Sequence, residues 1–116
     1  MSATASTPYN RFSLTVVPQR DQVAVAPAGE LDLASVDETA AAVRDLRDAG
    51  FDKVTLDLRA VDFIDSVGLR MLIGLREDAE QNGHQLTLVS PKPVVARIFD
   101  LTRTRDWFHW EERFPA

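Results

Sequence analysis

The pattern that most narrows the fold is a change of hydrophobic period along the chain. Short runs with apolar residues at every second position alternate with longer runs at helical spacing. Phe12–Val17 alternates through Phe12, Leu14 and Val16, as a half-buried strand does. Pro18 to Asp21 is a polar turn, and Gln22–Gly29 resumes the alternation at Val23 and Val25, so the pair reads as a hairpin. Pro27 has no backbone donor and is expected at the end of its strand or at a sheet edge. Ala34–Ala49 then switches to a helical repeat through Val36, Ala40, Val43 and Leu46. Ser35 and Glu38 have the spacing of a capping box, and Gly50 supplies the helix stop.

The switch recurs down the chain. Lys53–Leu58 puts Val54, Leu56 and Leu58 on one strand face and Thr55 and Asp57 on the other. Ser66–Asn82 is a second helix ended by Gly83, and Gln85–Val89 is again a strand. Pro93–Leu101 is a third helix, since Pro suits a first turn. Trp107–Trp110 reads as a last short strand or a strand-helix turn. The order β-β-α-β-α-β-α implies an α/β domain with an N-terminal hairpin and a mixed, mostly parallel sheet of four to five strands with three to four helices. Buried parallel strands usually run continuously apolar, whereas these alternate. The helices are therefore expected to cover one face well and the other incompletely.

A chain of 116 residues has the length of one domain with one core. Met1–Asn10, rich in Ser, Thr and Ala, has neither a basic nor an apolar region, and residues 1–10 read as a disordered lead-in before a domain over 11–116. No apolar run approaches the roughly 20 residues that span a bilayer, so no membrane partner is expected. A formal charge of -5 without a basic stripe argues against direct nucleic-acid binding. The absence of cysteine excludes disulfides and thiolate chemistry and fits the cytoplasm. His84 follows a helix-ending glycine, and His109 lies between Phe108 and Trp110. Neither has ligand-spaced neighbours, so no metal and no cofactor are expected.

Chemistry concentrates in Phe63–Leu69, F-I-D-S-V-G-L, where a short loop after the strand Lys53–Leu58 meets the second helix. Asp65 and Ser66 are cap-type residues, and capping alone accounts for them. A helix N-terminus also suits an anion, so a hydroxyl there could carry a phosphate without disrupting the fold. Gly68 in the first turn costs up to about 1 kcal/mol relative to Ala. Either another group approaches closely there, or the glycine relaxes the junction. Asp32, between the second strand and the first helix, could reach the same end of the sheet. Leu69, Leu72, Leu75 and Ala79 make a core stripe, which leaves Val67 and Met71 toward the flank. That flank is either a protein-binding surface or is absorbed by broad burial. Ser66 lacks a nucleophile elbow and a nearby base, and the chain has no phosphate-binding loop, so an enzyme is not expected.

With G-E-L-D at Gly29–Asp32, V-T-L-D-L at Val54–Leu58, F-I-D-S-V-G-L, and R-I-F-D-L at Arg97–Leu101, the chain resembles the STAS domain. The resemblance runs from about Phe12 to Trp110, and the length looks like that of a stand-alone bacterial anti-sigma factor antagonist. It implies phosphorylation at Ser66 by an anti-sigma factor that is itself a serine kinase, and a phosphatase that reverses it. It also implies that Asp32 lies near the phosphosite and that ATP is bound by the kinase. Asp65, Val67, Gly68, Leu69 and Met71 complete the surroundings expected to meet the partner. Relatives often carry a second hydroxyl after the serine, where this chain has Val67, so any auxiliary role of that hydroxyl is lost. A monomer or weak dimer is expected. A scaffold subunit of a stress-signalling complex and a small-molecule or nucleotide sensor are the other roles open to such a domain.

Overall fold

Strand β2 (Gln22–Leu31) organises the sheet, because three other strands pair along it. The computed structural model describes residues 12–111. The expectation for residues 1–10 lies outside them. β1 (Ser13–Gln19) forms the expected antiparallel hairpin with β2, from Ser13 opposite Ala28 to Gln19 opposite Gln22. On its other side β2 changes partner midway. Val23–Val25 pair with β3 (Lys53–Asp57), and Gly29–Leu31 pair with β4 (Val61–Ile64), both in parallel. Beyond β3 come β5 (Gln85–Val89) and β6 (His109–Glu111), also parallel. Pro27 falls between the two parallel partners of β2. It is thus inside its strand and not at an end, in the one stretch where a missing donor breaks no parallel ladder.

Helices α1 (Val36–Asp48), α2 (Ser66–Asn82) and α3 (Pro93–Leu101) match the three expected. A single turn of 3-10 helix, Arg105–Trp107, leads into β6, so the aromatic C-terminal stretch is both turn and strand. The sheet has six strands, not four to five. The additional strands are β4, expected as loop, and the short β6, expected only as one of two alternatives.

Alternate β residues Val23, Val25, Val54, Leu56, Leu86 and Leu88 meet α1 through Val43 and α2 through Leu72, Leu75 and Ala79 in one core. Phe99 of α3 closes it, edge-on to Phe108 and Trp110 at 5.7 and 5.1 Å between ring centroids. The second sheet face is less open than its pattern implies, since Ala24, Thr55 and Asp57 are buried as well. Across the helical layer, the buried Arg47 of α1 donates to Asp78 of α2 at 3.2 Å. Burial pushes the Arg47 pKa down, and the Asp78 carboxylate opposes that shift. The bond ties α2 to its neighbour well away from the helix's N-terminal end. Gly83 ends α2 in the left-handed region, with φ 72°, and its N–H reaches the Ala79 carbonyl as a C-terminal glycine should.

Candidate functional site

Asp32 and Asp65 lie at one end of the sheet because β2 and β4 end side by side. Leu31 and Ile64 are register partners, so Asp32 and Asp65 are the next residues beyond two paired parallel strands. Ser66 therefore lies beyond the carboxyl end of β4, and not of β3 as the sequence implied. Strand ends of a parallel sheet are where such folds place functional groups.

Asp65 is the N-cap of α2. Its Oδ1 accepts from the Val67 and Gly68 N–H groups, at 3.0 Å each, and its carbonyl accepts from Leu69 N–H at 2.9 Å. Replacing Asp65 with Ala should cost about 1 kcal/mol of stability, while Asn or Ser should retain most of it. Equal thermal stability of the Asp65→Ala and Asp65→Asn proteins would contradict the capping role.

Asp32 is held just as closely. Its Oδ1 accepts from Ala34 N–H at 3.0 Å, and its carbonyl takes the N–H groups of Ser35 and Val36, both at 3.0 Å. Ser35, 2% exposed, donates its hydroxyl to the Glu30 carbonyl at 2.6 Å and accepts from Asp32 N–H at 3.0 Å. The expected capping box with Glu38 does not form: Ser35 makes no side-chain bond to the first turn of α1. Its hydroxyl pins the turn that carries Asp32 instead. Spacing with Glu38 obscured this positioning role, and only burial reveals it.

Gly68 is explained by backbone approach. A Cβ built there would lie 2.4 Å from the Leu31 carbonyl oxygen and 2.8 Å from Ile64 Cγ1. The first turn of α2 thus rests directly on the ends of β2 and β4. Ser66 is exposed at the head of this helix, while Asp65 and Asp32 are half-buried beside it. Gly68 and Leu69 are buried beneath. Val67 and Met71 are both half-buried, with Met71 packed against the core. The large apolar side chains left exposed around this end are Leu33, directly after Asp32, and Phe63 on β4, at 76% and 48%. Sequence reasoning missed both, because neither sits on a helical stripe. Phe63 also lines a groove between β4 and α3 with Val94, Ile98 and Leu101, and Asp62 on its wall pairs with Lys92.

No imidazole serves Ser66 as a base. His84 lies past the far end of α2, roughly 25 Å along the helix axis, and faces Asp52 at 3.5 Å. His109 is exposed on β6, the last strand of the sheet path. Among the described residues no group of three or more His, Asp or Glu is placed to hold a metal ion. None of the described helices is long and apolar enough to cross a membrane. What the arrangement offers is an exposed hydroxyl on a rigid ledge, flanked by carboxylates and apolar side chains.

A family model for the STAS domain matches residues 14–114. The anti-sigma-B factor antagonist of Staphylococcus epidermidis is 28% identical over 101 residues, covering 87% of this chain and 94% of that one. An anti-sigma factor antagonist from Mycobacterium paratuberculosis superposes with a TM-score of 0.76 at 21% identity, over 95% of this chain and 92% of that one. The Bacillus cell fate determinant SpoIIAA in its phosphorylated form gives 0.63 at 22% identity, over 88% and 92%.

Proposed function

The chain belongs to the STAS domain family, and from that premise we propose that it is an anti-sigma factor antagonist, regulatory and not catalytic, switched by phosphorylation at Ser66. The observation that carries this reading is Ser66 itself, an exposed hydroxyl on the first residue of α2 with Asp32 and Asp65 beside it and no base to make it a nucleophile. Relatives named as antagonists cover most of the chain, and SpoIIAA, with the same fold, exists in a phosphorylated form.

In this mechanism the unmodified protein docks on a serine-kinase anti-sigma factor in the cytoplasm through the head of α2 and the turn that carries Asp32. Leu33 and Phe63 supply apolar contact, with Val67 and Met71 at its margin. Docking displaces the sigma factor, which is then free for transcription. The bound kinase, holding ATP, transfers phosphate to Ser66 and the complex parts. A phosphatase acting on phosphoserine 66 restores the binding form. The fold persists throughout, because Asp65 keeps the helix capped whether or not its neighbour is modified.

Incubating the protein with its cognate kinase and ATP, then mapping the product by mass spectrometry, should place one phosphate on Ser66 and none on the Ser66→Ala protein. A phosphate elsewhere, or none, overturns the assignment. Because it cannot be switched off, the Ser66→Ala protein is also the bait with which to isolate the kinase.

A further inference from the structure

A phosphate at a helix N-terminus ordinarily draws on the free N–H groups of the first turn. Here two of those donors are taken, since Val67 and Gly68 donate to Asp65 Oδ1. A phosphoryl group on Ser66 would stand beside that carboxylate and near the carboxylate of Asp32. Of the cations on the adjoining segments, Lys92 pairs with Asp62 and Arg59 with Asp57, while Arg97 of α3 lines the groove with Phe63 and Ile64. Arg70 is different. It stands one turn along α2 from Ser66, at i+4, is exposed, and joins none of the ion pairs found among the described residues.

Residues four apart on a helix have Cβ atoms about 5–6 Å apart, and a guanidinium matches two phosphate oxygens in one plane. Resting on the phosphoserine reading of Ser66, we propose that Arg70 is the intramolecular counter-ion of the Ser66 phosphate. The guanidinium draws the phosphate back along α2, away from Asp65 and Asp32, and favours its dianion over its monoanion. Arg70 is thus a positioning residue for the switched-off state and joins no ion pair among the described residues of the unmodified protein. The charged groups that set the phosphate's titration are Asp65 and Asp32, which oppose the dianion, and Arg70 on α2 with Arg97 on the adjoining α3, which favour it. The Lys92–Asp62 pair is internally compensated.

The test installs phosphoserine at position 66 during translation, so no kinase is needed. The phosphate is then titrated by phosphorus NMR in the wild-type, Arg70→Gln and Arg70→Lys backgrounds. At a pH within the titration, the ratio of dianion to monoanion should be about twofold higher in wild type than in Arg70→Gln, the size of one exposed i,i+4 ion pair. Arg70→Lys should recover most of the difference, and 1 M salt should erase it. Superimposable wild-type and Arg70→Gln curves overturn the proposal. So does a lowered melting temperature of unphosphorylated Arg70→Gln, which would mark a structural role. Failure of a kinase to modify Ser66 would remove the function proposed above but leave this titration standing.

Discussion

Protein carrying phosphate on Ser66 is expected to bind its anti-sigma partner roughly 100-fold more weakly than unmodified protein, with its fold unchanged. The phosphate brings about −1.5 to −2 charge to a ledge that already holds Asp65 and Asp32. In the free protein, water and Arg70 accommodate that charge. In the complex the Ser66 surface is desolvated against the partner, and like charges brought together at an interface cost several kcal/mol. About 3 kcal/mol corresponds to the expected hundredfold. Ser66→Asp places one charge on a shorter arm and should weaken binding less, by about tenfold, whereas Ser66→Ala should bind as the unmodified protein does. Calorimetric dissociation constants for the four forms test the order. Equal constants for phosphorylated and unmodified protein would exclude a switch at the interface. A loss of circular dichroism signal on phosphorylation would instead place the switch in the fold.

The elements that announced themselves in the sequence are those with an unbroken period: the hairpin, the three helices, and β3 and β5 of the sheet. β4 was illegible for a physical reason. Only Val61 and Ile64 of its four residues are buried, with Asp62 and Phe63 both exposed between them, so a period of two never appears. It pairs with β2 over three positions, across a register shift between Gly29 and Glu30, and such a strand exists only because β2 offers it an edge. Pro27 misled for the same reason, since its tolerance depends on a gap between two neighbours that no local pattern encodes. At the site, Asp65 as cap and the approach of Asp32 were legible from residue type and position along the chain. Ser35 was not, because a hydroxyl that pins a turn and one that caps a helix look alike until burial separates them. The exposed apolar residues also escaped, as Leu33 and Phe63 lie on a turn and an edge strand.

Gly68→Ala should be the most damaging single-methyl change in α2. The added carbon would sit 2.4 Å from the Leu31 carbonyl oxygen and 2.8 Å from Ile64 Cγ1. Ile64 can turn aside, but a strand carbonyl cannot, because β2 is held from both sides by β1 and β4. Either the helix head must lift or the strand end must bend, at a cost of about 3 kcal/mol for overpacking. Removing a helical glycine returns about 1 kcal/mol in propensity. The net loss is then about 2 kcal/mol, which lowers the melting temperature by roughly 8 °C in a domain of this size. Gly74 is the control, on the same helix but exposed and with nothing within 4 Å of a built Cβ. Gly74→Ala should therefore stabilise, by up to about 1 kcal/mol. Opposite signs for one substitution at two positions of one helix separate steric contact from helix propensity. If both proteins gain stability, the Leu31 carbonyl does not confine the helix head. The functional consequence follows from the same contact: a lifted head carries Ser66 away from Asp32. Gly68→Ala should then lose partner binding even at temperatures where it is fully folded, while Gly74→Ala keeps it.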